Sequence, residues 1–428
     1  MNLPSPLELW RRFQRSAVGR SVFRVGLPQS SLERAQAMVS SFVLHIQPAK
    51  THRHSLKPGY SLGLGLISLY LFFLLFATGL LLMFYYVPST ERAYDSMKDL
   101  QFVVSAGLLI RNMHRWAAHL MVLFVMLHLC RVFYTGSYKS PREFNWVIGV
   151  CLFLLTLGLS FTGYLLPWDQ LAFWAITVGT NIAAYAPVIG PKMKYVMLGG
   201  NAVGQEALVR FYALHVIVLP AIAAFLISLH LWRVRKDGGL SRPAELDEPV
   251  TQVEAPRLPT AKTYGLMELA RGTTPQVGAD PDEFVLSWPH LIFRELLLFL
   301  LVVVVLLFLA IFWNAPLEEM ANAIHPPNPA KAPWYFLGLQ ELVSYSALWG
   351  GVIVPGLLVG VLVLLPYLDG KPRGVGKWFA HERIVANSVF TVCLITAIIL
   401  TIIGTWFRGP NWAWQQPWKP VAAHTEAH

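Results

Sequence analysis

The sequence predicts an all-α integral membrane protein with about seven transmembrane helices and additional amphipathic surface helices. The chain of 428 residues is 55% hydrophobic and only 14% charged, whereas a soluble protein would carry about 25% charged residues. Seven apolar segments are also long enough to cross a bilayer, which takes about 20 residues. The net charge of +10 comes from basic loops. It gives no reason to expect a nucleic-acid partner.

We number the predicted spanning helices one to seven. Their approximate ranges are Tyr60–Tyr86, Leu109–Phe133, Asn145–Leu166, Leu208–Trp232, Leu291–Trp313, Val352–Leu368 and Asn387–Phe407. A polar, proline-rich stretch separates helix four from helix five, which is typical of a linker between two units. The predicted domains are an N-terminal cytoplasmic amphipathic segment (1–58), a four-helix bundle (59–235), a cytoplasmic linker (236–289), a three-helix domain (290–410) and a mobile tail (411–428).

The basic loops predict the orientation of the chain. Lysines and arginines precede helix one and follow helices two, four and six. All of these segments fall on one side if the helices alternate, and that side is cytoplasmic because basic loops stay inside. The long loops Pro167–Gln205 and Asn314–Gly351 then lie on the opposite, p side, where we expect short interfacial helices. Ser31–Leu44 has helical apolar spacing and is predicted to lie on the cytoplasmic (n-side) surface.

Four histidines lie in helices two and four. His114 and His128 are 14 residues apart, and His215 and His230 are 15 apart. Since a helix turns about 100° and rises about 1.5 Å per residue, each pair shares a broad face and spans roughly 21 Å. His114 is then level with His215 near the p side, and His128 with His230 near the n side. Two imidazoles at each level predict two bis-histidine, b-type haems.

Two alternatives to haem ligation compete with this interpretation. A histidine in a membrane helix also serves as a packing or hydrogen-bonding residue, although ionisable residues inside a membrane are usually functional. A single zinc site does not fit, because ligands at two levels about 20 Å apart cannot meet at one ion.

Glycines recur at the same 14-residue step on the neighbouring helices, Gly65 with Gly79 on helix one and Gly149 with Gly163 on helix three. We expect them to clear the faces of the two haems, although small residues also promote plain helix packing in membranes. Three arginines near the haem levels are predicted to pair with haem propionates. They are Arg115, Arg131 and Arg210, and Arg131 is alternatively a positive-inside anchor.

Three runs resemble cytochrome b of the quinol:cytochrome c oxidoreductase (cytochrome bc/bf) family. They are His114 to Arg131, Gly163 to Gln170 and Arg210 to His215. The resemblance covers about residues 50 to 410. The spacing and helix count resemble the bf-type branch, in which the four-helix cytochrome and the three-helix subunit are often separate chains. Here the two are fused.

The resemblance implies a Q-cycle in a bacterial cytoplasmic membrane. Quinol would be oxidised at a p-side site formed by Pro167, Trp168, Asp169 and Gln170 together with Pro333, Trp334 and Tyr335. One electron would go to a Rieske iron–sulfur protein, and the other would reach an n-side quinone through the two haems. The implied partners are this Rieske protein, a cytochrome c or similar acceptor, membrane lipid and a second copy of the chain in a homodimer.

The sequence departs from the family pattern at two places. Pro333 stands where the family usually has a glutamate that accepts a quinol proton, and proline cannot titrate. We expect Glu341, two helical turns beyond Trp334, to replace it, with a helix-surface charge as the alternative and His325 as a second candidate. The family's bf branch also attaches a haem c near the start of helix one, but no cysteine precedes Cys130. A thioether-linked haem there is therefore not expected, while a non-covalent one stays possible.

Other histidines carry weaker predictions. His119 lies five residues beyond His114 and on the opposite face, so we expect it to pack rather than bind a metal. His52 and His54 are n-side candidates for assisting quinone protonation. The run Ala332-Pro333-Trp334-Tyr335, in which Pro333 replaces the family's glutamate, favours menaquinone over ubiquinone. One competing function is a dihaem anchor of a dehydrogenase or hydrogenase, which leaves the three-helix extension and the Pro167–Gln170 run unexplained. The other is a haem-free transporter or scaffold, but the internal repeats and broken helices usual in transporters are not evident in the sequence.

Overall fold

The computed structural model describes residues 5–16, 30–40, 47–243 and 284–418. It confirms the predicted all-helical membrane fold: one two-stranded sheet is the whole strand content of these residues. Seven helices are long and apolar enough to cross a membrane. Helices one to seven span Leu64–Met83, Gly107–Tyr134, Glu143–Leu165, Gln205–Lys236, Ser287–Phe312, Trp349–Leu368 and His381–Trp406.

The ends of the spans differ from the predicted ones by a few residues, for local reasons. Helix one begins at Leu64 rather than at Tyr60, because Leu62 and Gly63 adopt left-handed backbone conformations (φ 52° and 62°) that interrupt the helix. Helix four is longer than its apolar stretch, since its backbone hydrogen bonding continues into the polar residues at both ends. An apolar window therefore finds the span but not the helix ends.

The chain divides into two compact units, Met1–Tyr60 with Asp247–Leu297 and Ser61–Leu246 with Leu298–His428. In the first unit, helices span Pro6–Arg15 and Ser31–Ser40, and residues 41–44 of the predicted surface helix lie outside the described residues. Strand β1 (Lys50–His52) pairs antiparallel with strand β2 (Phe284–Leu286). Strand β2 falls inside the predicted linker, whose residues 244–283 are not described.

In the second unit, helices one and two pack against the second half of helix five. Ile67, Leu71 and Ala117 are buried there with Val302 and Leu306. This cluster joins the four-helix part to the three-helix part, so the two predicted domains share one core. A second apolar cluster, around Leu165, Trp168 and Phe211, lies under the long loop after helix three.

The long loops contain the expected short helices. Gln170–Ala184 and Gly190–Leu198 lie between helices three and four, and Trp334–Tyr345 lies between helices five and six. A further short helix, Ala93–Phe102, connects helices one and two. Asp169 caps the first of these helices by accepting a hydrogen bond from the Ala172 N–H at 2.9 Å.

The predicted mobile tail differs from the structure over its first residues. Residues 411–418 fold back onto the end of helix seven: Asn411 hydrogen-bonds Asn328, and the Trp418 ring lies 6.3 Å from that of Phe407. Residues 419–428 of the predicted tail lie outside the described part of the chain. Aromatic residues hold the earlier segment in place.

Candidate functional site

The four histidines of helices two and four form two pairs. The ring centroids of His114 and His215 are 6.2 Å apart, with the ring planes 77° to each other. Those of His128 and His230 are 6.4 Å apart at 81°. Each pair lines a cavity, and we call these the His114 cavity (about 280 Å³) and the His128 cavity (about 90 Å³).

These separations fit a metal ion between the two rings of each pair. A metal–imidazole nitrogen bond is about 2.0–2.1 Å long, and the nitrogen lies about 1.1 Å from the ring centroid, so one iron separates two centroids by about 6.3 Å. Among the described residues, no group of three or more histidine, cysteine or carboxylate side chains is placed to hold a metal ion. The two histidines of each pair would fit a metal whose remaining ligands come from a macrocycle such as haem.

A π-helical turn explains the unequal histidine spacings. Helix two is α-helical from Gly107 to Tyr134, whereas Leu214–Val218 of helix four is a π-helix that begins beside His215. A π-turn accommodates one residue more than an α-turn. The 15-residue step on helix four therefore brings His230 level with its partner just as the 14-residue step does on helix two.

The second ring nitrogen of both histidines in the His114 cavity is held by helix one or helix three. The Nδ1 atom of His114 lies 2.9 Å from Thr78 Oγ1. The Nδ1 atom of His215 lies 3.1 Å from the Leu159 carbonyl oxygen and 3.3 Å from Thr162 Oγ1. Metal-binding histidines are usually oriented by such a hydrogen bond, which leaves Nε2 for the metal.

The four predicted glycines each face one of the four histidines. A Cβ atom would lie 3.1 Å from His128 Cε1 at Gly65 and 3.2 Å from His114 Cε1 at Gly79. At Gly163 it would lie 2.5 Å from His215 Cε1, but at Gly149 it would lie 3.7 Å from His230 Cε1. A side chain at Gly163 would therefore displace the histidine ring, side chains at Gly65 and Gly79 would make unusually tight contacts, and one at Gly149 would make an ordinary contact.

The arginines near the cavities separate into two groups. Arg115 lines the His114 cavity over the Tyr164 ring (4.9 Å), and its buried Nε has no partner among the described residues. Arg131 lines the His128 cavity, as does Arg142, which the sequence analysis did not single out. Both cavities therefore offer guanidinium groups to acidic substituents of a bound ring.

Arg210 does not fit this role. It is exposed, lies against Gly199 and donates a hydrogen bond to the Val196 carbonyl, and it does not line either cavity. Arg210 is near His215 in sequence, but five residues correspond to about 500° of helical rotation. The two side chains therefore lie on different faces of helix four.

The Pro167–Gln170 run is tied to the loop before the Trp334–Tyr345 helix. Asp169 accepts hydrogen bonds from the N–H groups of Ala172 and Glu318, and burial raises the pKa of its carboxyl group. Gln170 donates to the His325 carbonyl. Pro167 and Asp169 line the His114 cavity, whereas Trp168 is buried in the apolar cluster below. The structure thus brings the two predicted loops together at this cavity.

Of the second run, only Tyr335 lines the His114 cavity. Burial raises the pKa of its hydroxyl group. The Trp334 indole donates a hydrogen bond to His119 Nδ1 at 3.1 Å, and Pro333 precedes the first turn of the helix. His119 also lines the cavity, so the expectation that it only packs is incomplete.

Glu341 lies away from the cavity, in an ion pair. It is 0% exposed and accepts hydrogen bonds from Arg408 at 2.5 Å, from the Tyr345 hydroxyl at 2.9 Å and from the Trp412 indole at 3.0 Å. Burial alone would raise the pKa of its carboxyl group, but these hydrogen bonds outweigh burial and lower it. The geometry does not support the prediction that Glu341 accepts a quinol proton. His325 is exposed and does not line the cavity either.

The n-side candidates belong to the first unit. The ring of His52, on strand β1, lies 3.9 Å from the Phe284 ring on strand β2, and the ring of His54 lies 4.4 Å from that of Tyr60. Their proposed role in quinone protonation stays a prediction.

Several residues of the site escaped sequence reasoning. Thr78 and Thr162, which hold the two histidine rings, each directly precede one of the cavity glycines, so the repeated Thr-Gly pair was an available signal. Arg111, which lines the cavity and donates to the carbonyls of Ala315 and Pro316, left no comparable pattern. Neither did Glu318, whose place at the cavity depends on loop packing.

Comparisons with known proteins agree with this architecture. A family model described as "Cytochrome b/b6/petB" matches residues 50–238, and one described as "Cytochrome b(C-terminal)/b6/petD" matches residues 320–418. Cytochrome b6 of Heliobacterium modesticaldum is 48% identical over 185 residues, covering 43% of this chain and 86% of that protein. Cytochrome b6 of Heliomicrobium gestii is 46% identical over 175 residues, covering 41% and 82%.

A solved structure described as "Hyperthermophilic respiratory Complex III" superposes with a TM-score of 0.68. The match covers 92% of this chain and 91% of that chain at 24% sequence identity. This likeness extends over both the four-helix and the three-helix parts, and it establishes their common fold.

Proposed function

Because this chain belongs to the cytochrome b/b6 family, we propose that it is the cytochrome b subunit of a quinol:cytochrome c (or similar acceptor) oxidoreductase. The observation that carries the proposal is the geometry of the two histidine pairs. The ring centroids are 6.2 Å apart in one pair and 6.4 Å apart in the other, and each pair faces glycines on the neighbouring helices. His114 with His215 would hold a haem near the p side, and His128 with His230 one near the n side. When bound, the haems supply one-electron transfer between the two sides of the membrane.

The residues of the chain bind and orient these groups. Thr78, Thr162 and the Leu159 carbonyl fix the rings of His114 and His215. Arg115 in one cavity and Arg131 in the other would neutralise propionates. Because the walls around them are largely apolar helix faces, the ring systems would be held in a medium that excludes water.

In this proposal the His114 cavity receives both groups, the haem between His114 and His215 and the quinol beside Asp169, Glu318 and Tyr335. Each quinol gives up two electrons and two protons; one electron goes to a Rieske partner and the other to an n-side quinone. The carboxyl groups lining the cavity are those of Asp169 and Glu318. Asp169 is already engaged by two backbone N–H groups, whereas Glu318 is exposed. We therefore assign proton release to Glu318 rather than to Glu341.

The cellular setting follows from the same family. We propose a multi-pass protein of the bacterial cytoplasmic membrane with its N-terminus in the cytoplasm, working with a Rieske protein and a cytochrome acceptor and forming a homodimer among membrane lipids. Menaquinol is the proposed substrate, and no thioether-linked haem is proposed near helix one. The alternative, a dihaem anchor of a dehydrogenase, is disfavoured because residues 320–418 match the C-terminal family model.

A reduced-minus-oxidised spectrum with a haem count tests the proposal. We expect two b-type haems for each chain in the purified complex, and one after His215→Leu or His230→Leu. A complex with no b-type signal, or with two haems but no quinol oxidation, would contradict the proposed function.

A further inference from the structure

His119 occupies an unusual place for a membrane histidine. It lies on helix two and lines the His114 cavity, and its ring centroid is 5.7 Å from those of both Trp116 and Tyr335. It is half-buried. It therefore has one side packed on aromatic rings and another facing the space that would receive a substrate.

The hydrogen bond from Trp334 fixes which nitrogen of His119 carries the proton. An indole N–H only donates, so His119 Nδ1 must accept at 3.1 Å. In a neutral imidazole the proton then lies on Nε2. Within the described residues, Nε2 makes no hydrogen bond. His119 thus presents an unused N–H donor in the cavity.

We propose that His119 binds the quinol ring in this cavity, donating a hydrogen bond from Nε2–H to a ring oxygen, and that Trp334 is its positioning residue. The inference rests on the proposed quinol-oxidising function and adds a specific ligand contact to it. The proposed contact is a hydrogen bond, and no covalent bond is made or broken.

The chemistry of the cavity supports a donor at this point. A quinone oxygen only accepts hydrogen bonds, and a quinol oxygen can still accept while its own O–H donates elsewhere. The Pro333 side chain offers neither a donor nor an acceptor beside Trp334, so the glutamate of the family pattern has no counterpart there. The cavity's carboxylates, Asp169 and Glu318, are acceptors when ionised. His119 supplies the donor that complements them.

The test uses the complete complex in membranes, with 2,3-dimethyl-1,4-naphthoquinol as the probe. His119→Leu removes the donor, and His119→Gln keeps an amide N–H near the position of Nε2. Trp334→Phe keeps His119 but removes the indole that fixes its tautomer. His381→Leu, at the exposed histidine that begins helix seven, is the matched control.

We expect His119→Leu to raise the KM for the naphthoquinol about tenfold, the effect of losing one hydrogen bond. The haem spectrum should stay unchanged. His119→Gln should stay within about threefold of the wild type, with Trp334→Phe between the two. The carbonyl stretching frequency of the bound naphthoquinone should rise in His119→Leu, because a hydrogen bond lowers it. His381→Leu should behave as the wild type in every measurement.

Two results would overturn the inference while leaving the proposed function intact: a wild-type KM with an unshifted carbonyl band in His119→Leu, or equal losses in His119→Leu and His119→Gln. Should His119→Leu fail to assemble haem, Trp334→Phe decides, and a wild-type KM and carbonyl band there would refute the inference. Absence of quinol oxidation by the wild type would instead refute the proposed function itself.

Discussion

Gly163 is the residue at which the His114–His215 pair has the least room. A Cβ atom there would lie 2.5 Å from His215 Cε1, whereas one at Gly149 would lie 3.7 Å from His230 Cε1, an ordinary van der Waals contact. The two glycines occupy equivalent places on helix three, 14 residues apart. They therefore form a matched pair for testing whether ring clearance explains the glycines.

We predict that Gly163→Ala displaces the His215 ring and lowers haem occupancy at that level, while Gly149→Ala keeps both haems. A haem count with a potentiometric titration of each haem measures this. Equal retention of both haems by the two variants would mean that these glycines serve helix packing instead.

The two glutamates of the quinol loops give a second prediction at the residue scale. Glu318→Gln should lower the rate of quinol oxidation, normalised to haem content, about tenfold or more. General acid–base groups contribute at least that much to a rate. Glu341→Gln should leave this rate near the wild type but lower the thermal stability, because it breaks the buried pair with Arg408. The opposite pattern, slow oxidation in Glu341→Gln alone, would restore the sequence-based hypothesis.

At the scale of single elements, the π-turn at Leu214–Val218 decides how helix four presents its histidines. An α-helix with a 15-residue step would turn His230 about 60° past His215. The extra residue in the π-turn removes that difference. Helix two is α-helical throughout, so its 14-residue step places His114 and His128 on one broad face without an inserted residue.

Single-residue deletions test this interpretation. Deleting Ile217, an exposed residue within the π-turn, should leave a regular α-helix with a 14-residue step and two bound haems. Deleting Leu123 of helix two, also exposed, should rotate His128 by about 100° relative to His114 and cost one haem. The measurement is haem content for each chain after purification. Loss of a haem in both variants would argue against the proposed role of the π-turn.

At the scale of the whole molecule, a buried charge cluster joins the loop after helix two to the ends of helices six and seven. Lys139 (1% exposed) lies 2.9 Å from Asp369, and Arg383 lies 3.7 Å from the same carboxylate. The Tyr138 hydroxyl donates to Asp369 at 2.5 Å. One carboxylate therefore compensates two buried cations and ties the four-helix part to the three-helix part.

Removing that carboxylate should destabilise the fold strongly. We predict that Asp369→Asn lowers the free energy of unfolding by about 2–3 kcal/mol, because the buried Lys139 ammonium loses its negatively charged partner. Glu382→Gln, at an exposed position beside Arg383, should have little effect. Thermal unfolding of the purified complex compares the two, and similar midpoints for both variants would contradict the prediction.

The same cluster predicts a pH dependence. Burial by itself would raise the pKa of Asp369, but hydrogen bonds from Tyr138 and Lys139 together with the two positive charges lower it. The stabilisation is therefore present above the unfolded-state pKa of about 3.9 and is lost as the pH falls through the lower folded-state value. Thermal midpoints of the wild type and Asp369→Asn should converge as the pH is lowered from about 4 to below the folded-state pKa. A constant difference would exclude this carboxylate as the cause.

The sequence by itself determined the membrane class, the seven spans and the identity of the four histidines with their glycines. Apolar runs and fixed helical periods are local properties, and a bilayer leaves the backbone few other ways to cross it. The same periods placed the histidines on common faces, since about 100° per residue holds wherever the helix is regular.

Only the tertiary structure decided which side chains line the cavity. Arg210 lies outside it and bonds the Val196 carbonyl, and Glu341 forms an ion pair with Arg408. His119 lines it and accepts a hydrogen bond from Trp334, which is more than 200 residues later in the chain. Such contacts depend on how loops pack over helix ends, and no local period encodes them. The π-turn belongs to the same category, because a one-residue adjustment of a helix responds to the packing around it.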